Sequence, residues 1–322
     1  MHNLSLNALG IQMVRAGVYG RCPNEDEIGI SIKDITEGFV VELDRDGEII
    51  SDPEEIIEED DVLIYMPSGI TGNFGELYEI GDIAKRLDVS VSLHTPYYMD
   101  LGMNNELTGS CIDSIRRAAT IVNALDGEIV VTSLGLYTDK MSREDTDANI
   151  EENVSAIMDW WKENKIHPKL GIEITGHQSV YGSLEQILDL CDAVDGIVPV
   201  INFPHHHSRT NGSLMEPEDF IEVLEQVEPY CKKGIHAAFA GVEYSDGNER
   251  RLTPIKKGDL KFEPLAEALC TVNPEATVIS SSPLLEHDAM YMRIINERVL
   301  SKRVAKVLKE KKKAELAAAA EE

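Results

Sequence analysis

Residues 128–132 read Glu-Ile-Val-Val-Thr, a run with no polar face. Strict alternation of apolar and polar residues would mark a strand with one side in water. A nearly continuous run rich in Val and Ile marks a strand covered on both sides. Similar runs precede it, GIQMV (10–14), VLIYM (62–66) and VSVSL (89–93), and others follow, LGIEI (170–174), IVPVI (197–201), GIHAAF (234–239) and ATVIS (276–280). From the third run on, the starts lie about 30–45 residues apart, the size of a βα unit. Eight such runs with helix-like segments between them predict an α/β fold, a (β/α)8 TIM barrel.

The intervening segments carry helix signals. Residues 144–163 open with acids, suited to a helix N-terminus, and Val154, Ile157, Met158 and Trp161 follow at spacings of three and four. The Trp160–Trp161 pair is read as helix packing rather than a base-stacking platform. Ser183 with Gln186 three residues on has capping-box spacing. Residues 38–60 predict a hairpin around Asp46-Gly47 and then an acidic stretch, an insertion between the first and second strands. The barrel is assigned to residues 1–290, and 291–322 to a charged C-terminal helix and tail whose last ten or so residues are expected to fray.

The 322 residues are 43% hydrophobic, enough for a large core, and the formal charge is −28. A nucleic-acid partner would need a basic patch set against that field. The five cysteines are scattered and form no C-x-x-C pair, which excludes a disulfide framework or a thiolate zinc knuckle. No signal-peptide pattern and no 18-residue apolar run is seen, so the expected location is the reducing cytoplasm, with no membrane contact.

In such a barrel the strand C-termini and the loops after them hold the chemistry. The third strand ends Leu93-His94-Thr95-Pro96-Tyr97-Tyr98, the fourth in hydroxyls through Ser133, and the fifth carries Glu173. The sixth ends Asn202-Phe203-Pro204-His205, the seventh contains His236, and the eighth ends Ser280-Ser281-Ser282. His94, Glu173, His205 and His236 are thus expected at the same end of different strands, and imidazoles with a carboxylate suit zinc or a similar metal. Each alone would read as a satisfied buried histidine or an ion-paired glutamate. In an extended segment His205 and His207 would face one way and His206 the other, with His206 and His207 in a solvated loop.

Leu93-His94-Thr95-Pro96-Tyr97-Tyr98 resembles the H-x-P-Y motif of endonuclease IV, the zinc-dependent apurinic/apyrimidinic endonuclease of the xylose isomerase-like TIM barrels. The order of later landmarks agrees over roughly residues 62–290. The resemblance implies a barrel that binds three zinc ions and cleaves the phosphodiester 5′ to an abasic site in damaged DNA. It implies ligands at His94, Glu173, His205 and His236, with Glu173 also catalytic. Ser133, Asn202, Leu252 and Ser281 stand where the family has further ligands. The reduced set implies one zinc ion rather than three, held by His94, Glu173 and His236, or manganese in its place. Tyr97, Asn202, Arg250 and Arg251 are the candidate substrate contacts. The arginines suit a phosphate clamp or, equally, surface pairs with Glu243, Asp246 or Glu249. Three functions stay open: a divergent endonuclease IV-like metal-dependent phosphodiesterase, a mononuclear-metal isomerase or epimerase acting on a small sugar or phosphorylated substrate, and a non-catalytic barrel that binds an anion or a protein.

Overall fold

The structure, a computed structural model, describes residues 6–15 and 17–318. The parallel strands are β1 (Ala8–Gln12), β6 (Ser90–His94), β7 (Ile129–Thr132), β8 (Lys169–Glu173), β9 (Ile197–Asn202), β10 (Ile235–Phe239) and β13 (Ala276–Ser280), in that order across one sheet. Helices alternate with them, as the continuous apolar runs required. The fold is the expected α/β TIM-barrel class, with seven strands in the parallel sheet.

The run at 62–66 is the correction. Residues 62–65 form β5 (Val62–Tyr65), the middle of an antiparallel sheet with β2 (Tyr19–Arg21), β3 (Val40–Arg45) and β4 (Glu48–Ile50), ordered β2-β5-β3-β4. A strand flanked on both edges inside a small folded layer reads like a barrel strand, because burial and not strand direction sets its composition. The predicted hairpin is the β3–β4 turn. Asp46 and Gly47 both have positive φ, 55° and 87°, the conformation an Asp-Gly two-residue turn supplies. The acidic stretch after it folds around one cation: Arg45 pairs with Asp61 (2.8 Å) and Glu55 (2.7 Å). Asp61 is fully buried and held below the usual carboxylate range, first by Arg45.

The described residues divide into two compact units, one of Asn7–Thr175 with Ser179–Val200 and one of Gly176–Gln178 with the chain from Ile201 onward. The first unit holds β1–β8, most of β9, and the helices α1 (Gly75–Arg86), α2 (Glu106–Ala124), α3 (Arg143–Glu163) and α4 (Leu184–Ala193). Helix α3 starts after Ser142, whose Oγ accepts from Asp145 N, and buries Val154, Ile157, Met158 and Trp161. Helix α4 has the predicted capping box at Ser183 and Gln186. Trp161 donates to Pro168 O at 2.8 Å and meets Trp160 edge-on, so the pair serves packing.

Register is set in the middle of the sheet, where Val131 pairs with Gly171 and Gly171 with Val198. Gly171 leaves room for its neighbours' side chains: a Cβ there would lie 2.6 Å from Val200 Cγ2 and 2.7 Å from Ile129 Cδ1. Gly171→Ala is expected to cost about 1–3 kcal/mol, read as a lower urea midpoint with an unchanged slope.

The second unit holds the end of β9, α5 (Phe203–Arg209), α6 (Pro217–Val227), β10, the hairpin β11 (Gly241–Ser245)–β12 (Asn248–Thr253), α7 (Phe262–Val272), β13 and α8 (Glu286–Ala318). Phe203 packs against Phe220 and Phe239, and Phe239 against Phe262. Helix α8 begins five residues before the expected 291 and runs to Ala318. Of the tail expected to fray, residues 319–322 lie outside the described residues. Among the described residues all cysteines are free, and no helix is long and apolar enough to cross a membrane.

Candidate functional site

In the first unit, His94 closes β6 and Glu173 closes β8. Their side chains are largely buried, and His94 Nε2 lies 3.0 Å from Glu173 Oε2. The other ring nitrogen, Nδ1, lies 2.7 Å from the backbone oxygen of Thr95. A carbonyl oxygen only accepts, so Nδ1 carries a proton. The Nε2–Oε2 contact therefore needs a second proton, held as imidazolium against carboxylate or as imidazole against carboxylic acid. Burial pushes the His94 pKa down, but the Glu173 charge, its hydrogen bond and the Thr95 carbonyl outweigh that, and the net shift is upward. Thr95 is itself buried and donates to Thr132 Oγ1 at 2.8 Å. Tyr97 stacks obliquely on the imidazole, ring centroids 5.6 Å apart, and remains 60% exposed. Ser133 follows β7, and its carbonyl accepts from Thr132 Oγ1.

In the second unit the histidine run is helical rather than extended. Asn202 is the N-cap of α5: its Oδ1 accepts from His205 N at 3.2 Å, and Pro204 sits in the first turn. An amide oxygen is a good cap, so Asn202 has a structural task where the family resemblance places a further metal ligand. His205 Nδ1 lies 2.6 Å from Glu249 Oε2 on β12. A Cβ on Gly176 would lie 3.0 Å from both His205 Nδ1 and Glu249 Cβ, so a larger residue in the loop after β8 would press on this pair. Glu249 enters the sequence reading only as a surface partner for arginine. It lies on the Asp246-Gly247 hairpin, and no local pattern points it at a histidine 44 residues away.

The expectation of a solvated loop for His206 and His207 is overturned. His207 is fully buried; its Nδ1 accepts from Leu214 N at 3.1 Å, which assigns the proton to Nε2, 3.2 Å from Asp259 Oδ1. Tyr244 donates to the other Asp259 oxygen at 2.6 Å and sets its ring edge-on to the imidazole. Burial holds the His207 pKa low despite Asp259, and holds His206 at about 4, with His207 and Arg209 adding to the effect. Folded-state pKa values below the unfolded 6.5 give stability that is complete above pH 6.5 and lost as the pH falls toward 4. Between pH 7 and 4, His206→Gln is expected to remove up to about 3 kcal/mol of that loss, measured by urea unfolding across the range.

The remaining candidates are spread out. His236 is the second residue of β10, opposite Thr277, and not at the strand's end as expected. Arg251 pairs with Glu243 through two 2.8 Å bonds, and Arg250 donates to Ser245 Oγ; both arginines are exposed on the β11–β12 hairpin. Leu252 lies in β12 opposite Val242. Ser281 follows β13, donates its N–H to Phe239 O, and keeps a buried hydroxyl without a partner. Among the described residues no three His, Cys, Asp or Glu side chains gather to hold a metal ion. A zinc site takes at least three protein ligands, and His94 Nε2 is already turned to Glu173, so the donor set does not fit a bound zinc.

Residues 72–280 match the family described as xylose isomerase-like TIM barrel. An uncharacterised protein of Methanocaldococcus jannaschii is 32% identical over 233 residues, 69% of this chain and 84% of that protein. Among solved structures, a D-tagatose 3-epimerase-like protein aligns over 72% of this chain and 84% of its own, with a TM-score of 0.58 and 21% identity. Endonuclease IV from Thermus thermophilus aligns over 70% and 81%, with a TM-score of 0.55 and 14% identity. At these identities the structural likenesses speak for the fold alone. The matched segment covers more than half of the chain, which therefore belongs to the xylose isomerase-like TIM barrel family.

Proposed function

We propose that the chain is an enzyme of proton transfer acting on a small hydroxy- or keto-compound of sugar type, with the His94–Glu173 pair as its general acid. The observation that carries this reading is the proton the pair must share, since Nδ1 is committed to Thr95 O. Losing that proton would leave an imidazole lone pair facing a carboxylate. The pair thus holds its proton above the ordinary histidine range and can deliver it to a carbonyl or leaving-group oxygen placed beside the imidazole. The exposed Tyr97 ring forms a wall for such a substrate, and Glu173 orients the imidazole while stabilising its charge. A small substrate fits the charge of −28 better than a polyanion does.

The endonuclease IV reading asks the same pair to protonate a leaving oxygen of DNA, with zinc or manganese supplying the nucleophile. It rests on the H-T-P-Y sequence at residues 94–97 and lacks a ligand set that fits the metal. Both readings are tested together: the purified chain is assayed on keto-sugars and phosphorylated sugars by deuterium incorporation from solvent, and on an abasic-site duplex with added zinc or manganese. Turnover of a small substrate without duplex cleavage is the expected result. Duplex cleavage with no small-molecule turnover would overturn it.

A further inference from the structure

Helix α8 buries one side, Met292, Ile295 and Val299, and turns another to solvent. Positions 290, 294, 297, 301, 304 and 308 alternate by four and three and so share one face, the spacing of a helix seam. They are Met290, Ile294, Glu297, Ser301, Val304 and Leu308. The four apolar members are 49–61% exposed. The order is symmetric: apolar, apolar, polar, polar, apolar, apolar. Laid antiparallel on itself, the seam sets Met290 against Leu308, Ile294 against Val304 and Glu297 against Ser301.

The charges have the same sense. Residues 302–313 carry seven basic side chains and one acid, on a chain with a charge of −28, while the first turn of α8 is acidic through Glu286 and Asp288. The register that pairs the apolar positions brings exposed Glu286 of one helix beside Lys312 of the other. Parallel pairing would instead stack the two basic ends, where like charges repel. Antiparallel pairing also opposes the helix dipoles.

We infer that α8 is a self-association surface, and that two copies of the chain form a two-fold dimer by antiparallel pairing of α8 through Met290, Ile294, Val304 and Leu308. The contact is isologous, so each residue meets a different residue of the other copy.

Sedimentation equilibrium of the full chain at micromolar concentration is expected to give twice the chain mass. Ile294→Glu and Leu308→Glu each weaken the dimer more than ten-fold while leaving circular dichroism unchanged, because both side chains are exposed. Glu286→Lys weakens it, and adding Lys312→Glu restores it. With Cys22→Ser as background, Ile294→Cys together with Val304→Cys gives a covalent dimer on oxidation, whereas Ile294→Cys alone does not. A monomer at every concentration, a dimer indifferent to these changes, or a monomer that binds phosphatidylserine vesicles through α8 would each overturn the inference.

Discussion

Glu173→Gln is expected to lower kcat by about 10²–10⁴-fold, the usual share of a general acid, and to leave the fold intact. The amide can donate to His94 Nε2 and so replaces the hydrogen bond, while Nδ1–H still reaches Thr95 O. It cannot carry the second proton. His94 then becomes a fixed neutral imidazole, correctly placed and chemically silent. The pH profile should change in step. With its pKa raised by Glu173, wild-type His94 stays protonated above its ordinary 6.5, and activity falls only as the pH rises through the raised value. In Glu173→Gln that alkaline limb should disappear. The same shift adds stability below pH 6.5 that is lost as the pH rises through the folded-state pKa, opposite in sign to the contribution of His206. A loss of activity with the alkaline limb unchanged would assign Glu173 a packing role only.

His207→Phe is expected to destabilise the chain by about 2–4 kcal/mol. The ring volume is retained, but the buried Leu214 N–H loses its acceptor, and Asp259, which water still reaches, loses the Nε2–H donor. Tyr244→Phe removes only the outer bond of the same chain, to a half-exposed Asp259, and should cost about 1 kcal/mol. Urea unfolding at pH 7 separates the two. Equal costs would mean that the network is not organised around the buried imidazole.

Much of this architecture was legible in the residues. The apolar runs at 128–132, 170–174, 197–201, 234–239 and 276–280 are all parallel strands, and the caps at Ser183 and Gln186 and the turn at Asp46-Gly47 formed as their local chemistry demands. The run at 62–66 misled because composition reports burial and carries no mark of strand direction. Residues 202–207 misled for a different reason. Asn202 with Pro204 two residues on is itself a helix-start signal, and the histidines drew attention away from it. The His94–Glu173 pair could be named from strand ends but not joined, since hydrogen-bond partners 79 residues apart leave no local trace. Glu249 and Asp259, the partners of His205 and His207, were invisible for that reason. The second Asp-Gly turn, Asp246-Gly247 with φ of 53° and 71°, would have exposed the hairpin that carries Glu249.

The central claim is that His94 and Glu173 share a proton that can be given up. Nitrogen-15 chemical shifts of the His94 imidazole, followed from pH 5 to pH 9, test it most directly. The geometry predicts Nδ1 protonated throughout and Nε2 protonated past pH 6.5 in the wild type, with that second proton absent in Glu173→Gln. A neutral His94 protonated at Nε2 alone, or one that titrates in the same way with and without the Glu173 carboxylate, would contradict the account.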